Sequence, residues 1–118
     1  MIKLDIRDED VLVRILELCD RITAARARYG DDPESFDADP DYQDVVCMNL
    51  FQIGEISHSL SDEVKEELSE LPWPQIYGIR NIIAHAYVIV QRERIWNTII
   101  EDIPAMRRTV AAALGRES

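Results

Sequence analysis

Asp8-Glu9-Asp10-Val11-Leu12-Val13-Arg14-Ile15-Leu16-Glu17-Leu18-Cys19-Asp20-Arg21-Ile22 places apolar residues at 11, 12, 15, 16, 18, 19 and 22, the three- and four-residue spacing of one helix face. The three acids ahead of that run sit where negative charge suits the exposed amides of a helix N-terminus. The stretch predicts a first helix over about 8 to 28. The same period returns downstream. Pro40 can occupy a first helical position, and Val45, Val46, Leu50, Ile53, Ile56 and Leu60 mark a second helix to about Leu60. Gly54 lies within that face, where a glycine costs up to about 1 kcal/mol relative to alanine, and this suggests close approach by another helix, with a neutral accident almost as good a reading. Ser61 caps a short charged helix from Asp62 to about Leu68, and Leu71-Pro72-Trp73-Pro74 interrupts the pattern. A third long helix begins near Pro74 and runs through Ile76, Ile79, Ile82 and Ile83 towards Val88 or Val90. A last one takes Ile95, Trp96, Ile99, Ile100 and Ile103, then Met106, Val110 and Leu114. Pro104 lacks an amide hydrogen and crowds the carbonyl four residues back, so this last helix should kink or restart near Glu101 to Ile103.

Between Tyr29 and Asp41 the period disappears into Gly30, Asp31, Asp32, Pro33, Asp37, Asp39 and Pro40, which reads as a mobile acidic loop at about 29–41. No strand-like alternation, hairpin turn, repeat or low-complexity tract occurs. The expected architecture is all-α, an up-and-down bundle of about four to five helices. With 118 residues, 47% of them hydrophobic, residues 1–118 are expected to form a single domain.

The formal net charge is -10, unevenly spread: Met1 to Gln75 carries 7 basic and 19 acidic residues, whereas Ile76 to Ser118 carries 6 and 4. Phosphate binding draws on Lys and Arg, so the overall sign argues against a generic nucleic-acid binder, and DNA is not expected as a partner. The acidic part is either a solvated surface or a face meant for a basic partner. Cys19 and Cys47 are isolated thiols without metal-ligand spacing or a secretory leader before them, which fits a reducing, cytoplasmic setting. The uncharged stretch Ile82 to Gln91 is about half of what a bilayer-spanning helix requires, so no membrane association is expected.

Phosphate-cradling glycine loops, nucleophile elbows and metalloprotease signatures are missing, and no cofactor or metal is expected. His58, near Ser57 and Ser59, has no obvious partner in sequence and reads as an ordinary surface or partly buried histidine. His85 lies in Arg80-Asn81-Ile82-Ile83-Ala84-His85-Ala86-Tyr87, where polar groups punctuate an apolar helix. At about 100° per residue, Tyr87 falls within about 20° of Arg80, on one stripe, but His85 stands about 140° away. One straight helix cannot aim Arg80 and His85 at a single point. Either the helix distorts near His85, or the two groups meet through long side chains and a second copy across a two-fold axis. The plainer reading is a helix-capping arginine and a core histidine. Such a set could cleave RNA without a metal: an imidazole near neutrality takes the ribose 2′-hydroxyl proton or protonates the leaving 5′-oxygen, and a guanidinium holds phosphate oxygens as charge builds. Asn81 could orient either.

At these residues the chain resembles the HEPN superfamily, in particular HepT-like toxins encoded beside small MNT-type nucleotidyltransferase antitoxins. The family motif, Arg, four to six residues, then His, often with Asn after the Arg and Tyr two after the His, is matched by Arg80-Asn81-x-x-x-His85-x-Tyr87. Ile53-Gly54-Glu55, Leu71-Pro72-Trp73, Gly78-Ile79-Arg80-Asn81, Ile95-Trp96 and Asp102-Ile103-Pro104 follow the family's landmarks in order, together covering roughly Asp44 to Leu114. Ala86 stands where family members often have glycine.

The resemblance implies a helical bundle that forms a two-fold homodimer with its motifs facing each other, acting as a metal-independent endoribonuclease on transfer or messenger RNA. It implies the toxin half of a type VII-like toxin–antitoxin pair, neutralised by a nucleotidyltransferase antitoxin that transfers AMP to the motif tyrosine. By position, Arg80 and His85 are then catalytic, Asn81 supports them, and Tyr87 is the AMP acceptor; adenylylation there would set bulk and negative charge at the mouth of an RNA cleft. The rival expectation is a non-catalytic interaction module that binds and modulates a nucleotidyltransferase, and a third is a purely structural helical dimer. Tyr87 has its own plain reading, a ring packed on a helix with a wetted hydroxyl.

Overall fold

The computed structural model describes residues 3–84 and 88–116, and every regular element among them is helical. Helix α1 (Ile6–Tyr29) starts earlier than the apolar period alone suggests because Asp5 caps it, accepting from the Asp8 amide at 2.8 Å. Its buried stripe is the one expected: Leu12, Ile15, Leu18, Cys19 and Ile22 are completely enclosed.

The supposed acidic loop at about 29–41 contains a helix. Helix α2 (Pro33–Ala38) is nucleated by Asp32, whose carboxylate accepts from the Ser35 amide at 2.7 Å and the Ser35 hydroxyl at 2.9 Å. Those two bonds hold the Asp32 carboxyl below the usual carboxylate range. The one buried residue of α2, Phe36, is fully enclosed against Tyr42 and Trp96, with ring centroids 5.1 and 6.0 Å away. Tyr42 donates its hydroxyl proton to the Gly30 carbonyl at 3.0 Å and stacks on Tyr29 at 5.2 Å, so the end of α1 and the start of the next helix are bound together. The surrounding acids are partly matched: Asp31 pairs with Arg26 and Asp37 with Arg92.

Helix α3 (Pro40–Ser57) starts with Asp39 as cap and Pro40 in its first turn, and lies between α1 and the later α5. Helix α4 (Asp62–Glu67) is capped by Ser61. Ser61 is in turn gripped by Asp8, a buried carboxylate that accepts from the Ser61 amide at 2.9 Å and hydroxyl at 2.8 Å, tying the start of α4 to the start of α1. Helix α5 (Trp73–Ala84) opens on a buried Trp73 whose indole donates to the Leu68 carbonyl at 3.0 Å. Helix α6 (Val88–Asn97) bends at Gln91, and a π-helical turn (Thr98–Asp102) leads into α7 (Ile103–Ala113).

The break expected at Pro104 is therefore a widened turn. The Ile103 amide donates to the Thr98 carbonyl, five residues back, so the ladder has already left α spacing when the proline arrives. Helix α7 returns along α1 and closes the core with Ile103, Met106 and Val110. Among the described residues, no helix is long and apolar enough to cross a membrane.

Candidate functional site

The site is built where α3 and α5 approach most closely. A methyl group at Gly54 would stand 3.1 Å from the Ile76 carbonyl oxygen and 3.3 Å from both the amide nitrogen and Cβ of Arg80. The glycine in the buried face of α3 is therefore an interhelical contact, as its position suggested. It lets the backbone of α5 lie directly on α3, which brings Arg80 within reach of the residue beside Gly54.

That residue is Glu55, whose carboxylate accepts from Nη1 of Arg80. The ion pair is partly open, with the Arg80 side chain 34% and the Glu55 side chain 45% exposed. Glu55 raises the Arg80 guanidinium further above its already high ordinary value. Arg80 Nε is buried and finds no hydrogen-bond partner among the described residues, so the pair uses only part of the five-donor fork. The guanidinium also lies over the Tyr77 ring, 4.9 Å from its centroid. Tyr77 in turn stacks on His58, just past the end of α3, at 4.6 Å with 24° between the planes.

Glu55, Arg80, Tyr77 and His58 thus form a continuous surface row across the seam. Asn81 follows Arg80 and is exposed. His85 and Tyr87 lie outside the described residues. The sequence around His85 points to Arg80 and Asn81 but gives no sign of Glu55, Tyr77 and His58 as their neighbours. The available signal was Gly54, which marks the crossing, and the three-residue separation of Tyr77 from Arg80, which puts them on one face of α5.

A small concavity of about 280 Å³ reaches this row at Glu55 alone, and two larger ones contain none of it. A cleft of about 400 Å³ between α5 and the π-helical turn is lined by Ile53, Ile76, Ile79, Arg94, Asp102 and Met106 among others, mostly apolar. A larger one, about 970 Å³, between the start of α1 and α4 is lined by Asp5, Asp8, Glu63, Glu66 and Glu67 with Lys3, a set that repels phosphate. The row around Arg80 is where an anionic group would find a guanidinium already positioned.

Residues 14–113 of the chain match the family described as Ribonuclease HepT-like. A candidate RNase of Caldanaerobacter subterraneus is 34% identical over 84 residues, covering 71% of this chain and 75% of that protein. A protein named probable ribonuclease HepT, from Thermococcus cleftensis, is 34% identical over 74 residues, covering 63% and 67% of the two chains. A candidate RNase of Methanocaldococcus jannaschii is 26% identical over 90 residues, covering 69% and 83%. No solved structure matches the chain significantly.

Proposed function

The chain belongs to the Ribonuclease HepT-like family of the HEPN superfamily, and from that premise we propose that it is a metal-independent endoribonuclease in which Arg80 and His85 act together across a two-fold homodimer cleft. The observation that carries this reading is the posture of Arg80. It projects from the α3–α5 seam, anchored through one nitrogen by Glu55 and backed by Tyr77, with Asn81 exposed beside it.

In this reaction an imidazole removes the ribose 2′-hydroxyl proton as that oxygen attacks the adjacent phosphorus, and the 5′-oxygen leaves with a proton supplied by an imidazolium. Arg80 takes up the charge that accumulates on the non-bridging oxygens, and Asn81 orients the phosphate or the imidazole. Cleavage of total cellular RNA by purified protein in EDTA tests this. Wild type should cut and His85→Ala should lose roughly 10²- to 10⁴-fold in rate; equal cleavage by both, or by Arg80→Ala and wild type, would refute it.

The same reading makes the protein the toxin of a toxin–antitoxin pair, with Tyr87 accepting AMP from an MNT-type nucleotidyltransferase. Incubation with the partner, ATP and magnesium should add one adenylate by intact mass, and Tyr87→Phe should abolish the addition.

The net charge of -10 favours a second reading, a non-catalytic module that binds and modulates the nucleotidyltransferase. Four arginines, Arg26, Arg80, Arg92 and Arg107, are each matched to a carboxylate. On that reading a stable complex forms with the partner while RNA affinity stays weak even at low salt.

A further inference from the structure

We propose that the His58–Tyr77 stack is a nucleobase subsite, a platform on which one base of a single-stranded RNA lies while the neighbouring phosphate rests against Arg80. The inference rests on the endoribonuclease reading and extends it from the reacting phosphate to the base beside it. His58 comes from the turn after α3 and Tyr77 from α5, and their rings are nearly parallel, 4.6 Å apart.

The other ring pairs among the described residues, Tyr29–Tyr42, Phe36–Tyr42, Phe36–Trp96 and Tyr42–Trp96, all involve the buried Tyr42 or Trp96 and hold the core together. His58 and Tyr77 belong to no such cluster: His58 is exposed and Tyr77 is only half-buried. An aromatic face left in solvent beside a guanidinium offers the two features that single-stranded RNA uses, a π-surface for a base and a cation for its phosphate. The Arg80 guanidinium, 4.9 Å from the Tyr77 ring, makes the two contiguous.

Local electrostatics fixes which part of the nucleotide goes where. His58 sits at the C-terminal end of α3, the negative pole of the helix dipole, which disfavours a phosphate. An uncharged base suits that end, and the phosphate is left to Arg80. Stacking on a bare ring face also tolerates any base, so the subsite contributes affinity and register on the strand without reading sequence.

The test is binding of a short single-stranded 2′-O-methyl oligonucleotide, which lacks the attacking hydroxyl, to the full chain by fluorescence anisotropy. A companion set carries an abasic residue at each position in turn. Wild type should lose at least about fivefold in affinity at one abasic position. His58→Ala should lose a similar factor with the intact strand and no more with that abasic strand, and His58→Tyr should restore wild-type behaviour. Circular dichroism checks that each variant is folded.

Undiminished binding by His58→Ala, an additive loss at every abasic position, or no binding by wild type at low salt would overturn the platform. Cleavage of the unmodified strand, measured alongside, separates this proposal from the one beneath it. Cutting without a stacking effect removes the platform and leaves the nuclease, whereas a stacking effect without cutting does the reverse.

Discussion

Gly54 and Gly78 both lie inside helices, yet the structure predicts opposite responses to a methyl group. Alanine is favoured over glycine in a helix interior by about 0.8–1.0 kcal/mol, and this gain is common to the two sites. A Cβ on Gly78 meets nothing within 4 Å, so Gly78→Ala should keep the whole gain and raise Tm by roughly 3–6 °C. A Cβ on Gly54 meets the Ile76 carbonyl oxygen at 3.1 Å and the Arg80 amide nitrogen at 3.3 Å. Both are backbone atoms of one turn of α5, so neither can rotate away and α5 must retreat as a body. Overpacking of this kind costs about 1–3 kcal/mol, which turns Gly54→Ala into a net loss of up to about 2 kcal/mol. Thermal unfolding of the two variants beside wild type isolates the contact, because the propensity term cancels between them. Arg80 rides on the same turn, so Gly54→Ala should also slow RNA cleavage while Gly78→Ala leaves the α3–α5 distance untouched. An increase in Tm for Gly54→Ala equal to that of Gly78→Ala would refute the close-approach reasoning.

Glu55→Gln should leave Tm nearly unchanged, since a partly exposed ion pair contributes at most about 1 kcal/mol. It should nevertheless lower the rate of RNA cleavage roughly 10- to 100-fold by loosening Arg80; an unchanged rate would show that Glu55 does not position it. Asp8→Ala strands the Ser61 amide and hydroxyl at the α1–α4 junction and should cost about 2–4 kcal/mol, read as a lower urea midpoint with an unchanged slope. Burial pushes the Cys19 thiol up to about 12 and the Cys47 thiol up to about 11, each with help from a neighbouring aspartate. Both should resist a thiolate-directed reagent at pH 8 in the folded protein and react promptly in denaturant. Because these folded values lie above those of the unfolded thiols, their contribution to stability is complete below about pH 9 and is lost as pH rises towards 11 and 12. A Cys19→Ala, Cys47→Ala double variant should flatten that alkaline decline.

What could be read from the sequence depended on how far apart the interacting residues lie in the chain. Helix α1 announces itself because its apolar stripe repeats from Val11 to Ile22, and Pro104 announces a break because its missing amide acts locally. Helix α2 is six residues long with one buried residue, too short for any period to register. Its signal was the Asp32-Pro33-Glu34-Ser35 cap, hidden among acids that resemble a solvated loop. Arg80 and Asn81 were legible from their place on an apolar helix, but Glu55 is 25 residues from Arg80 and no local pattern joins them. The link is the crossing of α3 and α5, and Gly54 was the residue that could have supplied it. A close contact pairs Gly54 with the turn from Ile76 to Arg80, and the two helices run antiparallel there, so each step forward along α3 is a step back along α5. Glu55 then falls beside Arg80, and three residues on, His58 falls beside Tyr77, three residues back. A helix-interior glycine next to a charged residue therefore carries register as well as proximity, and that register assembles an arginine, its carboxylate anchor and an exposed aromatic stack into one row.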